Sequence, residues 1–475
     1  MRRLVSPLLF VMLAALGASL YLHYDGDAAT TEAATTPAEK AERIAAKDKD
    51  KDKAKATTPT PPPALRRTLR TVALGWEFLT PGVIANGGST PGAVSSYKMA
   101  GLDTSFLNAP SMEDVESALA KGGAVAGGAD IAILPLSSYV ASYERLRALA
   151  PEVVFVVGWS RGREALYGKD ASTLTRLAAT GTIKLTGAAA QPETFLALFV
   201  LDLAGVPASR VELVAKDAKV PLAATFRTTK QAPPGKLLVT SADLPHLMPI
   251  VAVAPHGFIK AHASELETWG RIWLTGVTRL QTDVPDGGRQ VATIAGAPPV
   301  LQIIEALGQI EFASLRENAA AVGLSGRGAL TLDEIFRITW RIWRDTGVIT
   351  TPAPEVVPLH TGVIASLVRT EPNAAAVDAP RSRTPSADGK RPEVLLVVKA
   401  PAGKLDAEAF VMRIGFLAGV FDRLPLRISV KDDPKTATLL MEMARDRFGL
   451  RPAQLSTTKR APGGASAAIE VLSAN

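Results

Sequence analysis

The sequence predicts an α/β fold built on parallel-rich sheets, and three observations lead there. Short apolar, β-branched runs recur from Thr71 onward. Helical patterns with their own start and stop signals lie between them. The chain, 475 residues without a cysteine, is also long enough for two or three domains, each with its own core. The runs fall at 71–74, 129–134, 153–157, 182–185, 211–214, 237–239 and 250–253. Their length and composition fit strands covered on both faces.

Ahead of the first strand stand a leader and a tether. Arg2 and Arg3 precede 19 residues without a charge, 4–22, and Asp25 and Asp27 follow. A run of that length spans about 30 Å of hydrocarbon, and basic residues mark its cytoplasmic flank. Residues 1–24 are expected to export the chain, as a retained signal anchor or as a signal peptide cut near Gly17-Ala18-Ser19. The remainder then lies on the periplasmic side of the cytoplasmic membrane, tethered or released. Residues 25–69 reduce largely to Ala, Thr, Lys, Asp and Pro, as in Lys47-Asp48-Lys49-Asp50 and Pro61-Pro62-Pro63, and read as a solvated linker. Much of the net charge of +7 sits in this region. Residues 1–70 carry 12 basic and 8 acidic side chains, against 41 and 38 beyond. With no basic stripe and 5% aromatic residues, nucleic acid is not an expected partner.

In the body, Ser111 with Asp114, Ser264 with Glu267 and Thr331 with Glu334 pair a hydroxyl with an acid three residues on, the signature of a helix start. A helix over 192–204 carries Phe195, Leu198 and Phe199, and Gly205 stops it. The helix after Thr331, rich in Phe336, Trp340 and Trp343, reads as core. Ligands of parallel-rich sheets bind beyond the carboxyl ends of the strands. The residues placed there are Gly75-Trp76-Glu77, Ser137 and Ser138, Gly158-Trp159-Ser160-Arg161, Gln191 to Thr194, and Thr240 to Asp243. Free amides at Glu193 and Thr194 would suit an anionic group.

On these residues the body resembles the type II periplasmic substrate-binding proteins of the SsuA/TauA-like group. The likeness rests on Val72-Ala73-Leu74-Gly75-Trp76, Ala100-Gly101-Leu102-Asp103, Gly128-Ala129-Asp130-Ile131-Ala132-Ile133 and the stretch 187–214. It implies two α/β lobes over 70–369, one formed by 70–158 with 246–369 and the other by 159–245. It further implies a small molecule held between them by Trp76, Ser137, Ser138, Trp159, Ser160, Gln191, Thr194 and Asp243, and an ABC permease as partner. The reading that follows is an envelope solute-binding protein that is not an enzyme. The alternative is a non-transport interaction protein that reuses the fold.

Other chemistries fit less well. Zero cysteine excludes thiolate metal sites, iron–sulfur clusters and a cysteine nucleophile. Gly158-Trp159-Ser160-Arg161-Gly162 matches a serine-hydrolase elbow, but only 163–167 separate two glycines where a helix should follow. The five histidines form no helical ligand pair, so neither a metal nor another cofactor is expected. Gly323 to Gly328 lacks the Lys-Ser/Thr of a phosphate loop and reads as a turn. After a second linker, 370–391, residues 392–475 read as a small α+β domain of order β-α-β-α-β. It faintly resembles the OmpA-like peptidoglycan-binding domain. Asp432 or Asp433 would match that family's acid, but its arginine falls at Thr436 or Ala437, which leaves wall binding doubtful.

Overall fold

The computed structural model describes residues 65–372 and 393–472, apart from 171–172, 175–180, 216–219, 221, 228–234, 295, 325–329, 402, 423 and 460–461. The leader, nearly all of the tether and the second linker lie outside the described residues. Everything described belongs to one compact unit, Pro62–Asn475. Among the described residues no helix is long and apolar enough to cross a membrane.

The chain first lays down β1 (Leu69–Ala73), β2 (Thr104–Asn108), β3 (Ile131–Pro135) and β4 (Pro151–Ser160), with helices α1 (Thr80–Asn86), α2 (Ser96–Met99), α3 (Met112–Lys121) and α4 (Leu136–Leu146) between them. It then crosses into a second sheet: β5 (Glu164–Gly168), β6 (Ile183–Thr186), α5 (Pro192–Leu203), β7 (Val211–Val214), β8 (Leu222–Phe226) and β9 (Lys236–Thr240). β10 (Pro249–Pro255) returns to the first sheet. It is followed by α6 (His256–Ala261), α7 (Ala263–Thr282), α8 (Val284–Val291), α9 (Val300–Leu307), β11 (Ile310–Phe312), α10 (Leu315–Ala321), α11 (Leu332–Asp345) and α12 (Gly362–Thr370). The last part comprises β12 (Val394–Lys399), α13 (Ala407–Val420), β13 (Leu426–Val430), α14 (Pro434–Phe448), β14 (Leu455–Thr458) and β15 (Ala467–Leu472).

The first sheet has the order β11-β4-β10-β3-β1-β2 and the second β7-β6-β8-β5-β9. One pattern repeats in both. The first strand lies between the second and third and parallel to them, and the strand arriving from the other lobe inserts antiparallel between third and fourth. The fold is thus a two-lobed α/β body followed by a small α+β sheet of order β12-β15-β13-β14. β5, β8, β11 and β14 stand out less in the sequence, each lying at a crossing or beside a loop.

Local chemistry explains most helix starts. Ser111 accepts from the Asp114 amide and Thr331 from the Glu334 amide. The expected start at Ser264 is displaced. Its hydroxyl donates to Glu265, Glu267 accepts from Ser366, and α7 already begins at Ala263. Helix α5 is buried at every position but Asp202, with both its apolar and its first-turn residues covered. The apolar cluster that contains it runs from Leu134 and Trp159 in the first lobe through Leu166 and Leu185 in the second to Ile414 and Leu426 in the last domain. A second cluster fills the opposite face of the first sheet, around Phe155, Trp269 and Trp273.

Candidate functional site

The two lobes are joined where β4 leaves the first sheet. Gly162, at φ +86°, turns the chain within three residues so that β5 can begin at Glu164. Ser160 is buried there. Its hydroxyl donates to the Glu164 carboxylate and lies 3.2 Å from Ser241 Oγ. Ser241, on the return crossing, accepts from the amides of Gly162 (2.8 Å) and Arg163 (3.1 Å). One hydroxyl therefore laces both crossings together. Among the described residues the side-chain partners of Ser160 are Glu164 and Ser241, and no histidine is one of them. Trp159 is buried beside it, edge-on to His246 at 5.4 Å between ring centroids.

A second contact closes the lobes. Arg163 from the second lobe pairs with the buried Glu77 of the first at 2.6 Å. Its guanidinium lies 4.9 Å over the Phe78 ring and 5.2 Å over Phe226. Gly75 is required here, because its φ is +118° and a Cβ would meet the Glu77 carboxylate at 2.9 Å. Trp76 opens the short turn that carries Glu77 and is half-buried.

The third meeting point joins the starts of α4 and α5. Ser137 and Ser138 are buried in the first turn of α4; Gln191 precedes α5 and is exposed, and Thr194 is wholly buried in its first turn. Trp343 of α11 spans the two. Its Nε1 donates to the Ser137 carbonyl at 2.9 Å, and its ring lies 6.0 Å from that of Phe195, the neighbour of Thr194. Ser137 Oγ and Thr194 Oγ1 are buried without a hydrogen-bond partner among the described residues. Asp243 stands apart, accepting from the Thr240 amide (2.8 Å) and hydroxyl (3.0 Å) and so holding the turn after β9.

The structure therefore groups Trp159 with Ser160 at the crossing, and Trp343 touches the Ser137 carbonyl and the ring of Phe195, the chain neighbour of Thr194. Gln191 is left at the surface and Asp243 in a turn. Sequence reasoning passed over Arg163 and Trp343 as site residues, and placed Ser241 beyond a strand end without giving it a ligand contact. One signal was available: a carboxylate in the apolar turn after β1 must meet a cation if it is buried. Two open cavities lie elsewhere, one of about 440 Å³ beside α1, α7 and α8 and one of about 330 Å³ among α5, α11 and α13. Among the described residues no three His, Asp or Glu side chains are arranged to hold a metal ion. In the last domain Asp433 caps α14, accepting from the amide (3.0 Å) and hydroxyl (2.6 Å) of Thr436, and these contacts hold its carboxyl below its usual range.

No family model matches the chain, and no curated protein does either. Solved structures do show a likeness. The periplasmic aliphatic sulphonate binding protein SsuA from Escherichia coli is 12% identical at a TM-score of 0.45, over 60% of this chain and 90% of that one. The ligand binding component of an ABC-type import system from Staphylococcus aureus, solved with zinc bound, is 9% identical at 0.43, over 63% and 98%. A putative sulfonate-binding protein from Methylobacillus flagellatus is 14% identical at 0.43, over 64% and 94%.

Proposed function

We propose that the chain is an envelope solute-binding protein that holds a small anionic molecule between its lobes, at the starts of α4 and α5. The observation that carries this reading is the pair of unpartnered buried hydroxyls, Ser137 Oγ and Thr194 Oγ1, at two helix starts linked by Trp343. Buried polar atoms are nearly always satisfied, and the N-terminal end of a helix favours an anion. Delivery to an ABC permease, and attachment through the leader, belong to the same reading. The test is a thermal-shift screen of residues 62–475 with sulfonates, carboxylates, amines and pyrimidines. A member of the anionic classes should raise the melting temperature, and Thr194→Val should abolish the shift.

The closed lobe contact supports a second reading. Arg163 and Glu77 satisfy each other, and one apolar cluster runs through both lobes, as suits an interaction protein that reuses the fold without a solute. A screen with no shift in any class would favour this reading over the first.

A further inference from the structure

Away from the lobe junction, α5 and α11 meet α13 of the last domain around the cavity of about 330 Å³. That volume is in the range of small-molecule sites, roughly 300–1,000 Å³. The aromatic part of its lining is formed by Phe199 of α5 and Phe416 of α13, whose ring centroids lie 6.4 Å apart. Two arginines also line it, and they are not equivalent. Arg341 is committed: both its terminal nitrogens bond the Asp202 carboxylate, at 3.1 and 2.8 Å. Arg413 has neither an ion pair nor a hydrogen bond among the described residues, and its guanidinium rests 5.6 Å over the Phe416 ring. The residue is exposed, yet enough protein surrounds its head group that desolvation, with the nearby Arg341 charge, lowers its pKa against the pull of Asp202. Glu334, the other acid in the lining, is half-buried, and its carboxyl is raised by desolvation and by Asp333.

We infer that this junction is a second binding site, for a small organic monoanion with an apolar or aromatic body. The charge assignment follows from the pairing. Arg341 is held by Asp202 and, at 3.9 Å, by Asp345, whereas among the described residues no carboxylate bonds Arg413, and its fork of N–H donors suits a carboxylate or sulfonate. The half-buried Phe416 ring, backed by the buried Phe199, would cover the apolar body. Neither the lobe contact nor the solute reading is needed for this assignment.

The probe is 8-anilinonaphthalene-1-sulfonate, titrated into residues 62–475 and read by fluorescence. Two controls separate its parts: N-phenyl-1-naphthylamine has the body without the charge, and inorganic sulfate has the charge without the body. We expect one probe bound per chain, weaker binding of the uncharged amine, and weak displacement by sulfate. Arg413→Met should lower the probe's affinity at least about tenfold, the loss expected for a hydrogen bond to a charged group. Arg413→Lys should recover part of it, and Thr194→Val should leave it unchanged. Equal binding by Arg413→Met and the parent, equal binding of the uncharged amine, or loss of binding in Thr194→Val would each overturn the assignment.

Discussion

Gly276 shows how tightly single positions are set. Where α7 crosses α1, a Cβ at Gly276 would come within 2.0 Å of the Pro81 carbonyl oxygen. Backbone cannot move aside as a side chain can, so Gly276→Ala should cost about 2–3 kcal/mol in urea unfolding. An unchanged midpoint would show that the two helices slide freely. Thr194 predicts the opposite sign. Its hydroxyl is buried and unpaired, so Thr194→Val removes an unmet polar atom at little change in shape. Its melting temperature without ligand should match or exceed that of the parent. A marked drop would mean that the hydroxyl has a partner the fold depends on.

At the scale of elements, the crossings depend on Ser241. Removing its hydroxyl strands the amides of Gly162 and Arg163 at a buried turn. Ser241→Ala should therefore cost about 2 kcal/mol, and hydrogen exchange at those two amides should accelerate ahead of the sheets. Helix α4 carries a pH-dependent tie. Glu144 accepts from the Thr351 hydroxyl and, at 2.9 Å, from the Thr351 amide, and these bonds hold its carboxyl below the usual range. A lowered folded-state pKa contributes stability above the unfolded value, about 4.3 for glutamate, that is lost as the pH falls through the folded one. Glu144→Gln should melt below the parent at neutral pH, with the gap closing in acid. A gap that stayed constant down to low pH would exclude the carboxylate as its source.

The molecule as a whole shares one core across three sheets. Phe199 of the second lobe faces Phe416 of the last domain, and both belong with the cluster that fills the lobe junction. Burying large apolar side chains contributes roughly 1.5–3 kcal/mol each, so the last domain should not behave as a detachable module. Residues 62–475 should unfold in one transition, with equal calorimetric and van't Hoff enthalpies, and residues 62–372 alone should unfold at lower denaturant. Two resolved transitions would sink this account. Much of the architecture was legible beforehand, since the runs at 129–134, 153–157 and 250–253 became β3, β4 and β10. Less of the candidate site was. Ser160 ends β4 and Asp243 stands beyond β9, but their side chains are taken up by Glu164, Ser241 and Thr240.

The sequence by itself determined what depends on neighbours along the chain: the alternation of strands and helices, the caps at Ser111 and Thr331, and the stop at Gly205. Only the tertiary structure decided that β5 and β10 insert antiparallel, that Arg163 rather than solvent meets Glu77, and that Trp343 reaches Ser137 from 206 residues away. Periodicity and capping record which face of an element is apolar and where it begins. They carry no record of which distant face it meets, and that choice follows from the packing of the whole core.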